Sequence, residues 1–123
     1  RYRAFELLLG SEMADAYAVA DVVVCRGGIG TITELSALSK PAIVVPIRES
    51  IQEANARVLA LHDAAIVLDQ ATTDVVSMRA AIFNLLENAE RREQLGKKIH
   101  SVLRTDSGNE IVLMLKKLAP GWC

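Results

Sequence analysis

The chain has 123 residues, 51% of them hydrophobic, and a mean hydropathy of +0.25; this is one domain with apolar mass for a real core, which excludes a disordered tail. A net charge of −1 excludes global electrostatic steering toward nucleic acid. No apolar run approaches the ~18–20 residues of a membrane-spanning helix, the opening RYRAFELLLG lacks a signal-peptide layout, and Cys25 and Cys123 stand so far apart that a reduced cytosolic chain is expected.

Residues 2–9 (YRAFELLL) read as a strand, and 13–20 (MADAYAVA) as a short helix behind Ser11, a fair N-cap with Glu12 in the first turn. The run 21–25 (DVVVC) is β-branched and continuous, the mark of a strand buried on both faces. A helix is expected from Thr31 to Ser39, stopped by Lys40-Pro41. AIVVP (42–46) reads as a second buried strand that Pro46 turns outward. IQEANARVLALHD (51–63) follows as an amphipathic helix with Ala54, Val58 and Leu61 on its apolar face, and AAIVL (64–68) as a third strand. Beyond Asp69 only helices are expected, at about 73–88, 89–103 and 108–118, with Leu95 and Ile99 facing inward, Gly108-Asn109 starting the last helix and Pro120-Gly121 ending the ordered part. Residues 89–123 carry seven Lys/Arg against four Asp/Glu; this reads as a solvated helix surface, with an anionic partner or membrane as the sharper alternative.

Alternating helices and continuous apolar strands predict an α/β fold, a doubly wound parallel sheet with C-terminal helices. Ligands of such sheets sit beyond the carboxyl ends of the strands, which directs attention to Arg26–Gly30 and Pro46–Ser50. Gly27, Gly28 and Gly30 permit close backbone approach, and the helix that follows aims free N–H groups and its positive dipole end at the same place, which suits a phosphate. Thr31 adds a hydroxyl at the expected N-cap. A tight strand-to-helix turn also needs glycine with no ligand at all. A P-loop lysine is missing, a dinucleotide fingerprint matches only two of its three glycines, and no nucleophile elbow is present. Glu34, one turn into the helix, is placed to accept two hydrogen bonds from a vicinal diol such as the 2′- and 3′-hydroxyls of a ribose; the plain alternative is a glutamate favoured by the helix dipole. Together, the glycine-rich helix start and Glu34 fit a nucleoside diphosphate.

Met13 to Asp21 (MADAYAVAD), Cys25-Arg26-Gly27-Gly28, Thr31-Ile32-Thr33-Glu34, Lys40-Pro41-Ala42 with Val45-Pro46, and Gln52-Glu53-Ala54-Asn55-Ala56 follow one another in order. With these runs, residues 13–59 resemble the nucleotide-sugar-binding core of GT-B glycosyltransferases of family 28. The resemblance implies a Rossmann-like GT-B C-terminal domain that binds a UDP-sugar. It places Gly28, Ile29, Gly30 and Thr31 along the diphosphate, Glu34 at the ribose, the Leu9–Glu12 loop beside the uracil, and Gln52 and Asn55 at the donor sugar. Without it, Gln52 reads as an exposed first-turn residue and Asn55 as part of a solvated face. Many family members carry a Gln-Gln pair before the Asn, where this chain has Ile51-Gln52, and the Arg48-Glu49-Ser50 loop is shorter.

The implied reaction is an inverting transfer of N-acetylglucosamine from UDP-GlcNAc to a lipid-linked muramyl-pentapeptide in peptidoglycan synthesis, at the inner face of the cytoplasmic membrane. Backbone N–H groups would meet the charge developing on the leaving diphosphate. The resemblance implies neither cofactor nor metal, and His62 and His100 lack ligand-like companions; His62 reads as a helix-end residue and His100 as solvated. The first strand and glycine loop of the donor domain, and an acceptor domain before it, are expected upstream of residue 1. Accordingly no catalytic residue is assigned, the lipid acceptor is expected to bind that other domain, and the 123 residues alone are expected to be inactive. A parallel sheet without its first strands predisposes to self-association. The alternatives are another UDP-sugar transferase of the superfamily, including short catalytic subunits that work with a membrane partner, a non-catalytic nucleotide-sugar-binding unit, and a dinucleotide oxidoreductase.

Overall fold

The computed structural model describes residues 2–103 and 107–118. Helices and strands alternate as α1 (Ser11–Val19), β1 (Val23–Cys25), α2 (Ile29–Ala37), β2 (Ala42–Val44), α3 (Ile51–Leu61) and β3 (Ile66–Val67), followed by α4 (Val75–Glu87), α5 (Ala89–Val102) and α6 (Ser107–Leu118). The strands form one parallel sheet in the order β1-β2-β3. Val23, Val24 and Cys25 face Ala42, Ile43 and Val44, and Ile43 and Val44 face Ile66 and Val67.

The central strand β2 explains the layering. Its side chains alternate between the two faces: Ala42 and Val44 pack with Tyr17 of α1, Ile32 and Leu35 of α2, Ala56 and Leu59 of α3 and Ile99 of α5, whereas Ile43 meets Leu85 of α4 and Leu95 of α5. All three β2 residues are fully buried, as a two-faced strand requires. Leu95 and Ile99 are buried as expected. The helices start where local chemistry supports them: Ser50 caps α3 through the Gln52 N–H, Asp74 and Ser77 form a capping box on α4, and Asn88 caps α5 through the Arg91 N–H.

Several expectations are corrected. Residues 2–9 form no strand, and Tyr2, Phe5, Leu7 and Leu9 are exposed; their apolar alternation has no sheet neighbour among the described residues. Ser11 is the first helical residue rather than a cap, because Gly10, with φ of 50°, occupies the N-cap position. Strand β1 is not buried on both faces: among the described residues it pairs with β2 alone, and Val24 is 46% exposed. Helix α2 begins two residues earlier than expected, so Thr31 is its third residue and the N-cap is Gly28. On α3 the buried face is Ala56 and Leu59, while Val58 and Leu61 are exposed and Ala54 with them; Leu59 won the core because its row, not theirs, lies over β2. Gly108 and Asn109 lie inside the first turn of α6, a helix without a buried residue. Pro120, Gly121 and Cys123 lie outside the described residues.

Candidate functional site

The site grows from the turn between β1 and α2. Gly27 takes φ of 83°, and a Cβ there would come within 2.8 Å of Val44 Cγ1; both facts demand glycine. Gly28 then takes an extended conformation and opens α2 with no side-chain cap, unlike α3, α4 and α5. The first-turn N–H groups of Ile29, Gly30 and Thr31 have no acceptor within the helix by its own geometry, and the Ile29 side chain is exposed. Charge, hydrogen-bond donors and access coincide at this point, beyond the carboxyl end of β1.

Glu34 lies one turn further along α2. Its Oε2 accepts a hydrogen bond of 2.9 Å from the Tyr17 hydroxyl, and burial, then this bond, push the Tyr17 hydroxyl up to about 12. Tyr17, Glu34 and Leu38 line a cavity of ≈ 440 Å³ together with Leu8, Leu9 and Gly10. The segment expected beside a base and the carboxylate expected at a ribose therefore share one hollow. Lys40 steadies α1: its Nζ donates to the Ala18 and Ala20 carbonyls at 3.2 and 3.0 Å, holding the C-terminal end of the helix, as a cation there should.

Gln52 and Asn55 serve the loops. Asn55 Nδ2 donates to the Gly27 carbonyl at 3.0 Å, and Gln52 Oε1 accepts from the Ile47 N–H at 3.0 Å. Each is half-buried. Asn55 is thus tied to the glycine turn and Gln52 to the Pro46–Ser50 loop, where Ser50 Oγ also donates to the Ile47 carbonyl at 2.6 Å. Arg26, beside the turn, donates to Gln70 Oε1 at 2.7 Å and to the Val45 carbonyl at 3.3 Å, linking the loops that follow all three strands. A second cavity of ≈ 330 Å³ opens beyond β2 and β3, among Pro46, Arg48, Arg57, Val67 and Asp69.

Sequence reasoning missed Tyr17 as the partner of Glu34, although it lies in the MADAYAVAD run; the pairing spans 17 positions and depends on how α1 lies against α2. His62 is the C-cap of α3 as expected. His100 is exposed but not merely solvated: its Nδ1 stands 2.8 Å from the Ser36 carbonyl. Cys25 is a free thiol whose pKa burial raises, against a lowering contribution from the Gly27 N–H. Among the described residues, no three His, Cys, Asp or Glu stand together as metal ligands, and no helix is long and apolar enough to cross a membrane.

Residues 9–108, which include this turn and Glu34, match the glycosyltransferase family 28 C-terminal domain, and the chain belongs to that family. It is 37% identical over 112 residues to the UDP-N-acetylglucosamine--N-acetylmuramyl-(pentapeptide) pyrophosphoryl-undecaprenol N-acetylglucosamine transferase of Pseudomonas savastanoi pv. phaseolicola, which covers 89% of this chain and 32% of that protein. The protein of the same name from Methylococcus capsulatus is 36% identical over 103 residues, 81% of this chain and 29% of that one. Among solved structures, Acinetobacter baumannii MurG superposes with a TM-score of 0.72 at 29% identity, over 89% of this chain and 32% of its own. A glycotransferase of kitacinnamycin gives 0.59 at 28% identity, over 80% and 26%. The chain thus spans about a third of the length of these curated relatives, and its sheet and helices are the Rossmann-like architecture of a GT-B C-terminal domain.

Proposed function

We propose that the chain is the donor-binding part of an inverting glycosyltransferase that takes N-acetylglucosamine from UDP-GlcNAc and delivers it to a lipid-linked muramyl-pentapeptide. The observation that carries this reading is the hollow where Glu34, Tyr17 and residues 8–10 meet, one turn from the uncapped start of α2. The uracil lies against Leu9 and Gly10, the ribose diol against Glu34, and the diphosphate against Gly28, Ile29, Gly30 and Thr31. The sugar extends toward α3, where Gln52 retains its Nε2 hydrogens and Asn55 its Oδ1 for sugar hydroxyls. As the bond to the anomeric carbon breaks, negative charge accumulates on the diphosphate, and the first-turn N–H groups and the helix dipole stabilise it. On this reading the acceptor, the general base and the membrane face fall to other parts of a longer protein, which the chain's span of about a third of its relatives supports, and residues 1–123 are the C-terminal part of the donor domain, inactive alone.

The names of the relatives support N-acetylglucosamine as the transferred sugar, and the glycine turn and Glu34 support a nucleoside diphosphate. Titration calorimetry of this chain with UDP-GlcNAc, UDP-glucose and NAD(H) tests the reading. Tightest binding is expected for UDP-GlcNAc, and Glu34→Ala should weaken it by about tenfold or more, the worth of hydrogen bonds to a charged group. Preference for NAD(H) would end the transferase reading; an unaltered affinity in Glu34→Ala would remove the ribose role.

A further inference from the structure

We infer that Tyr17 is a positioning residue for sugar recognition: its hydroxyl holds one carboxylate oxygen of Glu34 so that the remaining acceptor sites meet both hydroxyls of a ribose, selecting a ribonucleoside diphosphate over its 2′-deoxy counterpart. The inference rests on the donor-site reading above and adds the residue that aims the acid.

The geometry begins with an exposed glutamate on a helix, whose side chain is free to sample several rotamers and loses that freedom on binding. Here Tyr17 removes much of it beforehand. Tyr17 is 8% exposed and belongs to the core cluster with Ile32 and Leu35 of α2, so packing against the buried side of α2 near Glu34 sets its position. The last turn of its helix, to which Tyr17 belongs, is held by the Lys40 bonds to Ala18 and Ala20, on either side of Val19. The hydroxyl then reaches Glu34 Oε2 at 2.9 Å at the edge of the 440 Å³ cavity. The phenol keeps its proton throughout the working pH range, since burial and the acid itself push it up to about 12, so Tyr17 always donates. An ionised carboxylate offers about four acceptor sites. With one filled, those that remain suit the two O–H donors of a vicinal diol, and a 2′-deoxyribose brings only one.

The same bond could instead serve as a staple between α1 and α2, and the two roles separate in binding data. Affinities of UDP and 2′-deoxy-UDP are measured by calorimetry for the unsubstituted chain, Tyr17→Phe, Glu34→Ala and the double variant. The expected result is a preference for UDP of about tenfold in the unsubstituted chain. Tyr17→Phe weakens UDP about threefold to tenfold with little change for 2′-deoxy-UDP, and has no further effect once Glu34 is alanine. If Tyr17→Phe keeps the original UDP preference while Glu34→Ala abolishes it, Tyr17 is a staple and the donor-site reading stands. If the unsubstituted chain fails to bind UDP, or binds it no less well as Glu34→Ala, both inferences fall. Should Tyr17→Phe not fold, ring resonances of the unsubstituted chain decide: UDP should shift those of Tyr17 more than 2′-deoxy-UDP does, with exposed Tyr2 as the internal reference, and equal shifts overturn the inference.

Discussion

At the scale of single residues the turn after β1 is held by three complementary demands. Gly27 needs a positive φ and has no space for a Cβ beside Val44, and Asn55 ties its carbonyl from across the fold. Gly27→Ala should therefore lower stability by about 1–3 kcal/mol, from left-handed backbone strain and overpacking together, as read from a urea midpoint. The side chain of Tyr17 gives a pH signature. Its pKa is raised from 10.0 to about 12 on folding, so its stabilising contribution is complete below about pH 10 and disappears as pH rises through 12. Alkaline unfolding followed by circular dichroism should be less steep in that window for Tyr17→Phe. The places of Glu34 and the glycines beside the start of α2 were legible in the sequence, because a helix start and an acid one turn later are local patterns. Tyr17 was not, since no local rule says which residue of α1 meets which residue of α2. Gln52 and Asn55 were legible as polar positions, but their bonds to Ile47 and Gly27 depend on how α3 lies over the loops.

Between elements, α5 is the part that joins the layers. A Cβ at Gly96 would overlap the Ser39 carbonyl oxygen in the turn that ends α2, so α5 approaches that turn at backbone distance. Alanine normally improves a helix interior, yet Gly96→Ala should destabilise by about 1–3 kcal/mol because the obstacle is backbone and not a movable side chain; thermal unfolding checks the sign. Helix α5 is also joined to the turn after α3 through Asp63, whose two oxygens take Arg91, in the first turn of α5, at 2.7 Å and Lys98, two turns further along, at 2.6 Å. These two cations hold the Asp63 carboxyl well below the usual carboxylate range. The contribution is present above the unfolded value near ~3.9 and is lost as pH falls further, so Asp63→Asn should flatten the acid limb of a melting-temperature profile between about pH 2 and 5. The pairs are exposed, and the change should be small. Helices were legible to within two or three residues because caps and breakers are written locally. Strands were overestimated in length and in number: VVVC and AAIVL look alike in composition, but only pairing decides which residues enter the ladder, and residues 2–9 have no strand partner among the described residues.

For the whole molecule, the order β1-β2-β3 leaves β1 with one neighbour among the described residues. Its Val24 is 46% exposed beside Val45 and Met78, and Ile111, Leu115 and Leu118 of α6 are exposed as well. An apolar, unpaired edge favours association with another chain. Sedimentation velocity should accordingly show a coefficient that rises with concentration, and Val24→Lys should diminish that rise by charging the edge. The doubly wound plan itself was readable from the alternation of apolar runs and helices; the exposure of Val24 was not, because residues 2–9 read as a strand and form none beside it. The uncapped start of α2 has one more consequence, in the exchange of amide hydrogens with solvent. Leu35 and Ser36 lie in the buried interior, so the amides around them are shielded, whereas those of Ile29, Gly30 and Thr31 have no helical acceptor and trade deuterium as an open loop does. The frontier between slow and fast exchange thus falls about one turn inside the helix, and an anion seated at Gly28 would push it outward to the helix start. The domain carries its own isotopic record of occupancy.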